Sequence, residues 1–218
     1  MDSSDYIDRV YEAAALSYHV KHSVLPDIEI NWLNEVICEA DYGRFIDVGC
    51  GTGLVTRHLV ASHLDASGMD ISLSMLRLAR KQVPSAEFVR ANLLSMPFSS
   101  SSLKTYISWY SWIHLDNKAI EKALCEAARV LTKRGLLVCL FHCLDQQSDT
   151  RARGRYLHIS GFMHTRYGLR INLANKNALV RKISEFPFRI LYSRERGYNS
   201  DMNELKTSRL LVVAERII

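Results

Sequence analysis

The stretch that most constrains the fold of this chain is residues 44–53, Arg-Phe-Ile-Asp-Val-Gly-Cys-Gly-Thr-Gly. A short apolar run with one acid inside it leads into three glycines at every second position, and residues with helical spacing follow. This pattern predicts a strand, a tight turn and a helix, because glycine tolerates positive φ and leaves room for a ligand against the backbone. The amides and the dipole at the start of such a helix attract anionic or acceptor groups. We therefore expect a nucleotide-like ligand at this turn.

The spacing of the glycines separates two classes of nucleotide site. Leu54 stands where the Gly-x-Gly-x-x-Gly of dinucleotide-binding proteins has its third glycine. The pattern present is an acid, Asp47, followed by Gly49, Gly51 and Gly53. It resembles the first motif of the class I S-adenosylmethionine-dependent methyltransferases. That resemblance implies S-adenosylmethionine as the cofactor and S-adenosylhomocysteine as the product.

Two further segments carry the resemblance. They are residues 70–76, Asp-Ile-Ser-Leu-Ser-Met-Leu, and residues 127–135, Ala-Ala-Arg-Val-Leu-Thr-Lys-Arg-Gly. Both are similar to segments of the small-molecule methyltransferases that include the quinone-ring C-methylases and the malonyl-carrier-protein O-methylase. The resemblance covers residues 5–143 and, more loosely, the last two predicted strands.

Strands and helices alternate along most of the chain, which predicts a parallel sheet covered on both faces. Predicted helices cover 5–19, 27–39, 55–62, 72–82, 118–131 and about 173–184, and the later predicted strands cover 87–90, 105–109, 136–143, 188–192 and 210–214. With the resemblance, this implies an α/β fold: a doubly wound, mostly parallel seven-stranded sheet of the Rossmann-like methyltransferase type. We expect one domain over 1–218. Its parts are a helical lid (1–40), a cofactor-binding core (41–143), a substrate-side insertion (144–172) and a C-terminal helix and strands (173–218).

Composition narrows the class of protein further. The 218 residues with 48% hydrophobic content suit one well-buried domain, and no apolar run approaches the roughly 20 residues that span a bilayer. An odd number of cysteines and an acidic N-terminus favour a soluble, cytoplasmic protein without a disulfide framework. Cys139, His142 and Cys143 suggest a metal site, but strand alternation would place the histidine opposite the cysteines, so we expect no metal.

The resemblance assigns the parts of the cofactor to particular residues. Asp70, 17 residues past Gly53 at a strand end, is expected to accept from the ribose hydroxyls; the alternative is a helix-capping aspartate. Asn92 replaces the acid that usually contacts adenine, and its carbonyl oxygen can accept the same N–H. Asp47 is expected beneath the turn, bonded to the amides of its glycines. Tyr18 either faces the cofactor from the lid or packs within the first helix. The expected cofactor-binding residues are Tyr18, Asp47, Gly49, Cys50, Gly51, Gly53, Asp70, Ile71, Met75, Asn92, Leu93 and Trp109.

Catalysis of methyl transfer from a sulfonium depends mainly on alignment, because the sulfur leaves neutral, and proximity supplies up to about 7–11 kcal/mol of the barrier. A base is needed only if the acceptor must lose a proton. Residues 108–114 leave the fourth strand at its carboxyl end, where such sheets bind ligands. His114 is the first choice for the base and Tyr110 the second, although His114 could instead pack beside Leu115. Trp112 is expected to wall the acceptor site.

The acceptor is less constrained. The net charge of residues 151–218 is +9, whereas that of residues 1–150 is −4. An Arg-rich segment with aromatic neighbours begins at Arg151. Such a segment can hold a carboxylate, a phosphate or stacked bases, or it can be a solvated loop. We expect methyl transfer to a small, anionic or carrier-tethered acceptor by a monomer or homodimer with no membrane partner. The alternatives are an RNA methyltransferase and a non-methylating relative, such as a cyclase or a regulatory partner.

Overall fold

The computed structural model describes residues 3–41, 43–144, 161–164, 170–198 and 207–218. The helices are α1 (Ser3–Lys21), α2 (Asp27–Glu39), α3 (Leu54–Ala61), α4 (Leu73–Gln82), α5 (Asn117–Val130) and α6 (Lys176–Ser184). The strands are β1 (Phe45–Val48), β2 (Ala66–Asp70), β3 (Glu87–Arg90), β4 (Leu103–Trp109), β5 (Leu131–Leu144), β6 (Gly161–His164), β7 (Arg170–Leu173), β8 (Phe188–Tyr198) and β9 (Thr207–Arg216). A 3₁₀ turn, Trp112–His114, follows β4.

Seven of these strands form one sheet in the order β3-β2-β1-β4-β5-β9-β8. Neighbours from β3 to β5 are parallel, and β9 runs antiparallel to both β5 and β8. The predicted fold class is thereby confirmed. The strand order reverses between β1 and β4, and ligands bind at the carboxyl ends of the strands where such a reversal occurs. The glycine turn after β1 and the loop after β4 both lie at this point.

Most buried side chains form two large clusters, one on each face of the sheet, as a doubly wound fold requires, and a third, small cluster lies around Leu76 of α4. Successive residues of β5 alternate between the two clusters: Cys139 and Phe141 belong to the first, Val138 and Leu140 to the second. The first cluster also contains the inward face of α5, and the second contains residues of α2 and α3. Since both faces are covered, β1 is buried at every position, including that of its one charged residue, Asp47.

Several predicted boundaries differ from the structure, among them the start of β5, which begins at Leu131 and not at residue 136. The helix expected from about residue 173 begins at Lys176, because Asn175 caps it by accepting a hydrogen bond from the amide of Ala178 at 3.0 Å. Residues 170–173 are instead β7, which pairs with β6 in a separate two-stranded ladder. Strands β8 and β9 are longer than expected, because their antiparallel pairing continues through the charged residues beyond the apolar core.

Candidate cofactor and acceptor site

The glycine turn has the backbone conformation that its sequence predicts. Gly49, Gly51 and Gly53 have φ values of 72°, 53° and 85°. A Cβ on Gly49 would lie 2.2 Å from the Cβ of Ser111, so the loop after β4 packs directly on the turn. A Cβ on Gly51 would meet nothing within 4 Å. The turn is therefore closed at Gly49 and open at Gly51, which borders the cleft where a ligand can approach the backbone.

Asp47 is buried beneath the turn, but its partner differs from the expected one. Its Oδ2 accepts from the amide of Thr56 at 3.0 Å and from the hydroxyl of Thr56 at 2.7 Å. Thr56 lies in the first turn of α3, where backbone amides have no partner within the helix, so Asp47 caps α3 from inside the sheet. Burial raises the pKa of Asp47 to about 7, and the hydrogen bonds from Thr56 offset only part of that rise.

Asp70 joins the glycine turn to the start of α4. Its Oδ2 accepts from the amide of Gly51 at 2.8 Å, and its Oδ1 accepts from the amide of Ser72 at 2.9 Å. The capping contact considered from the sequence is therefore present. A carboxylate oxygen has two lone pairs, so Asp70 can still accept from two hydroxyls. Burial raises the pKa of Asp70, while the backbone hydrogen bonds from Ser72 and Gly51 lower it in part.

Several expected cofactor neighbours are packed side chains. Cys50 is buried in a small cluster with Leu76 and Phe88, and Met75 is almost fully buried. The carbonyl of Ile71 accepts from Arg90 Nε at 2.9 Å. Cys50 and Met75 have little side-chain surface to offer a ligand, so any cofactor contact from them would come through the backbone.

Asn92 and Leu93 lie just beyond β3, beside β2. Asn92 Oδ1, the atom expected to accept from adenine, accepts from the amide of Leu94 at 2.9 Å. The side chain of Leu93 packs at the edge of the first cluster. The adenine assignment stays a prediction.

Helix α1 lies across the beginning of α4. Glu12 Oε1 accepts from the amide of Ser74 at 2.9 Å and from the hydroxyl of Ser72 at 3.1 Å. Burial disfavours ionisation of Glu12, but the hydrogen bonds from Ser74 and Ser72 outweigh it, so the pKa of Glu12 lies below its ordinary value. Asp8 and Arg90 form an ion pair at 2.9 Å. These contacts hold α1 beside Asp70, the position expected of a lid.

Four aromatic side chains meet between α1 and the loop after β4. The hydroxyl of Tyr11 lies 2.8 Å from Nε2 of His114. The ring of Tyr18 lies 5.8 Å from that of Tyr11 and 4.5 Å from that of His22. We call Tyr11, Tyr18, His22 and His114 the lid cluster. It places the first-choice base, His114, under α1.

Tyr110 belongs to a buried polar network instead. Its hydroxyl donates to Glu29 Oε1 at 2.9 Å and accepts from Arg209 Nε at 3.1 Å. Glu29 also accepts from Trp109 Nε1 at 2.7 Å and pairs with Arg209 at 2.8 Å. Burial, followed by the nearby carboxylate of Glu29, raises the pKa of Tyr110 well above its ordinary value. Tyr110 therefore keeps its proton, which disfavours it as a base.

Both tryptophans of this loop differ from expectation. Trp109 packs in the second cluster with Trp32 and Leu33, whereas Leu93 contacts the first cluster. Its role beside adenine stays a prediction that this packing does not favour. Trp112 is completely buried and donates to the hydroxyl of Tyr106 at 3.0 Å, so it supports the loop rather than walling an acceptor site.

The charged pair Glu29 and Arg209 was missed from the sequence. Glu29 precedes Leu33, a member of the apolar stripe of α2, by four residues, and Arg209 immediately precedes the apolar run of β9. The exposed fractions of the two side chains are only 5% for Glu29 and 8% for Arg209. The sequence offered one signal for this pair: a charged residue stands within or beside the apolar pattern of both α2 and β9.

The Arg-rich segment from Arg151 lies outside the described residues. Cys139 and Cys143 share the first cluster while His142 faces the other way, and the described residues contain no group of three metal-binding side chains. Within the same residues, no helix is long and apolar enough to cross a membrane.

The sequence of this chain is similar to those of known methyltransferases. Residues 45–135 match the methyltransferase-domain family. A demethylmenaquinone methyltransferase of Thermotoga maritima is 28% identical over 138 residues, which are 61% of this chain and 59% of that protein. A ubiquinone/menaquinone biosynthesis C-methyltransferase of Bartonella bacilliformis is 33% identical over 149 residues, 62% of this chain and 56% of that protein. The matches thus span less than two thirds of either relative.

A solved structure shows the same fold. A S-adenosylmethionine-dependent methyltransferase of Methanosarcina mazei superimposes with a TM-score of 0.71 at 21% identity, over 89% of this chain and 99% of that one. The match of the sequence and the shared sheet both include the glycine turn and the strand that ends at Asp70. Over residues 45–135 the chain is therefore similar in sequence to methyltransferase domains, and its fold is that of the Methanosarcina mazei methyltransferase.

Proposed function

We propose that this chain transfers a methyl group from S-adenosylmethionine to a ring carbon of a small hydroxylated aromatic acceptor of the quinol type. The observation that carries the proposal is the contact between the two halves of the site. Ser111 packs on Gly49 of the cofactor turn, and His114, three residues later, contacts Tyr11 of the lid. An aromatic cluster therefore adjoins the turn expected to hold the methyl donor. The names of the two quinone-pathway relatives supply the acceptor class.

The residues at the turn suit the cofactor. Gly51 opens onto free space, and Asp70 presents a carboxylate beside the amide of Gly51. We propose that Asp70 accepts from the ribose hydroxyls and that Asn92 accepts from the adenine amino group. In this arrangement, the backbone of Gly51 lies directly against the cofactor. When bound, S-adenosylmethionine supplies a methyl group on a positively charged sulfur that leaves neutral.

The lid cluster suits the acceptor. Tyr11 and Tyr18 offer flat apolar surface under α1, and the Tyr11 hydroxyl and His114 offer a path for a proton. A ring hydroxyl that gives its proton to the Tyr11–His114 pair pushes electrons towards the neighbouring ring carbon, which then forms the bond to the methyl group. The ring carbon afterwards loses its own proton to solvent, and the ring oxygen recovers a proton from His114, so the aromatic hydroxyl is restored and the net proton released goes to solvent. His114 is thus the proposed base, and Tyr11 its positioning partner.

The experiment is a turnover assay with 1,4-dihydroxynaphthalene under anaerobic conditions. We expect one S-adenosylhomocysteine for each ring-methylated product found by mass spectrometry. Asp65, an exposed acid just before β2, gives a matched control: Asp65→Asn should keep full activity and Asp70→Asn should lose it. A second assay uses a malonyl carrier protein. This is the anionic, carrier-tethered acceptor that the Arg-rich residues 151–155 could hold. A third arm uses unmodified tRNA.

The outcomes separate the candidate functions. Methylation of the naphthalene ring supports the proposal. Methylation of the carrier-bound malonyl group or of tRNA alone would replace the proposed acceptor. Binding of S-adenosylmethionine without release of S-adenosylhomocysteine in any arm would indicate a non-methylating relative.

A further inference from the structure

One residue just after β4 has a backbone conformation that its side chain disfavours. Tyr110 has a φ of 62°, in the left-handed region that a bulky residue adopts only where its surroundings hold it there. Tyr110 has no part in the proposed proton transfer, yet it lies in the loop that carries His114. Strained positions of this kind often adjoin functional sites, so the contacts of Tyr110 are informative.

The carboxylate of Glu29 holds two consecutive side chains at the end of β4. Its Oε2 accepts from Trp109 Nε1 at 2.7 Å, and its Oε1 accepts from the hydroxyl of Tyr110 at 2.9 Å. Consecutive side chains of an extended strand point to opposite faces of the sheet. Trp109 and Tyr110 reach the same carboxylate because the chain turns at Tyr110. The two hydrogen bonds therefore favour the left-handed conformation over an extended one.

Arg209 on β9 neutralises this carboxylate. Its Nε lies 2.8 Å from Glu29 Oε1 and donates to the hydroxyl of Tyr110 at 3.1 Å. Glu29 and Arg209 are both almost completely buried, and a buried carboxylate without its partner charge is strongly destabilising, so Glu29 depends on Arg209. The amide of Tyr110 also donates to the carbonyl of Leu140 at 3.1 Å, and its ring stacks on that of His142.

The conformation of Tyr110 decides where the following residues lie. Ser111 donates from its Oγ to the last carbonyl of β1 at 2.7 Å and packs on Gly49 of the cofactor turn. Three residues further along, His114 meets the hydroxyl of Tyr11. Because a backbone dihedral directs the chain that follows it, relaxation of Tyr110 towards an extended φ would move both contacts.

We propose that Glu29 and Arg209 are positioning residues that hold Tyr110 in its left-handed conformation. Tyr110 in turn fixes the path of the loop that carries His114. This rests on the proposed function, because it takes His114 as the base. Misplacement of a reacting group by about 1 Å can lower a rate by about 10²-fold, so even a partial loss of this arrangement is measurable as a change in kcat.

Tyr110→Phe tests the hydroxyl contacts while leaving the buried Glu29–Arg209 pair and the stack on His142 in place. We expect kcat with 1,4-dihydroxynaphthalene to fall about fivefold, and the dissociation constant of S-adenosylhomocysteine to change by less than about twofold. Tyr192→Phe is the matched control, because Tyr192 lies on β8 and packs against the second cluster. It should leave kcat unchanged.

The position of His114 can be measured without any acceptor. In the chain labelled with ¹⁵N-histidine, the Nε2 signal of His114 is assigned by its loss in His114→Gln. Tyr11→Phe shows how far this signal moves when the bond between the two residues is lost. We expect Tyr110→Phe to move the signal in the same direction and Tyr192→Phe to leave it in place.

Two further variants test the left-handed conformation itself. Tyr110→Gly and Tyr110→Ala remove nearly the same side-chain volume, but only glycine adopts a positive φ without cost. We expect Tyr110→Gly to unfold at the higher urea concentration and to retain at least about threefold more of the kcat than Tyr110→Ala. Where φ is negative, the order of stability is the reverse.

Glu29→Gln tests whether Glu29 acts through Tyr110, because glutamine has the same shape and no charge. If it does, adding Tyr110→Phe to Glu29→Gln should lower kcat by less than about twofold, because the contact is already lost. A further loss as large as that of Tyr110→Phe alone would show that Glu29 acts by another route and overturn the proposal. Should Glu29→Gln fail to fold, the Tyr110 variants still decide.

Failure of this inference and failure of the proposed function give different results. An unmoved His114 signal in Tyr110→Phe, or equal urea midpoints of Tyr110→Gly and Tyr110→Ala, would overturn the positioning role. If the wild-type chain does not methylate 1,4-dihydroxynaphthalene, the proposed acceptor is wrong. The His114 signal and the urea midpoints, which need no acceptor, then decide the positioning role by themselves.

Discussion

The hydroxyl of Tyr11 on α1 lies 2.8 Å from Nε2 of His114 in the loop after β4, two residues that are 103 positions apart in the chain. This bond joins the lid to the proposed base. A substitution at either residue should therefore affect turnover more than cofactor binding.

We predict that His114→Ala lowers kcat by about 10²-fold or more, the usual contribution of a positioned base. Tyr11→Phe removes the hydroxyl but leaves the ring, so we expect a smaller loss, on the order of tenfold, with His114 still in place. Initial rates with 1,4-dihydroxynaphthalene and calorimetry with S-adenosylhomocysteine measure the two effects. An unchanged kcat in His114→Ala would mean that alignment alone drives the transfer or that the base is another residue.

Asp70 should govern cofactor affinity. Hydrogen bonds to a charged group contribute about 1.5–3 kcal/mol each, so loss of both ribose contacts in Asp70→Ala should weaken binding of S-adenosylhomocysteine by about a hundredfold or more. Because Asp70 also accepts from the amides of Gly51 and Ser72, Asp70→Ala should lower the melting temperature too.

Asp70→Asn separates these two effects, because the amide oxygen still accepts one backbone amide while the negative charge is lost. We expect its melting temperature to stay closer to that of the wild-type chain, with affinity reduced nearly as much as in Asp70→Ala. Wild-type affinity in both variants, measured by calorimetry, would remove Asp70 from the ribose site.

Gly49 and Gly51 should respond to alanine in opposite ways. Alanine at either position bears the cost of a left-handed backbone, roughly 1–2 kcal/mol. Gly51→Ala adds a methyl group to open space at the turn, so we expect a folded chain that no longer binds the cofactor. Gly49→Ala places its Cβ against Ser111 and should unfold or strongly destabilise the chain.

The pair has an internal control. Ser111→Gly in the same chain as Gly49→Ala removes the atom that clashes, so the double variant should regain stability in urea unfolding relative to Gly49→Ala. Equal stability of Gly49→Ala with and without Ser111→Gly would show that the packing of the loop on the turn is not the cause.

The parts of the fold that were predictable are those that local pattern determines. The bounds of α2, Asp27–Glu39, agree with the prediction because Pro26 and an apolar stripe mark them. Ser72 caps α4 as expected, accepting from the amide of Met75 at 3.3 Å. The glycine turn is local as well, since its positive φ values depend on three neighbouring glycines.

The contacts that escaped prediction join residues far apart. Glu29 and Arg209 are separated by most of the chain, and nothing in the periodicity of α2 or β9 pairs them. The outer half of β8 was assigned to a loop because charged residues such as Arg194 and Arg196 interrupt the apolar pattern, yet pairing with β9 orders it. Asp47 was placed under the turn correctly, but its choice of Thr56 over the glycine amides depends on how α3 leaves the sheet.

The buried carboxyl of Asp47 should make stability depend on pH in an unusual direction. Its pKa is about 7 in the folded chain, against an ordinary value of 3.8. Between those two values the unfolded chain releases the proton and the folded chain keeps it, so the free energy of unfolding falls as pH rises. The contribution of the protonated carboxyl is complete below pH ~4 and is lost by pH ~7.

Asp47→Asn isolates this effect, since the amide has the same shape, accepts from Thr56 and does not titrate. We expect the free energy of unfolding of the variant, minus that of the wild-type chain, to increase by up to about 4 kcal/mol between pH 4 and pH 7 and then to level off. Urea unfolding of both chains across that range measures the difference. Asp70, whose pKa is also raised, is present in both chains, so the part of its contribution that does not depend on the charge of Asp47 cancels. If the free energies of unfolding of the two chains differed by the same amount at every pH from 4 to 7, Asp47 would be ionised in the folded protein over that whole range. The hydrogen bonds from Thr56 would then have to offset the full cost of burying its charge.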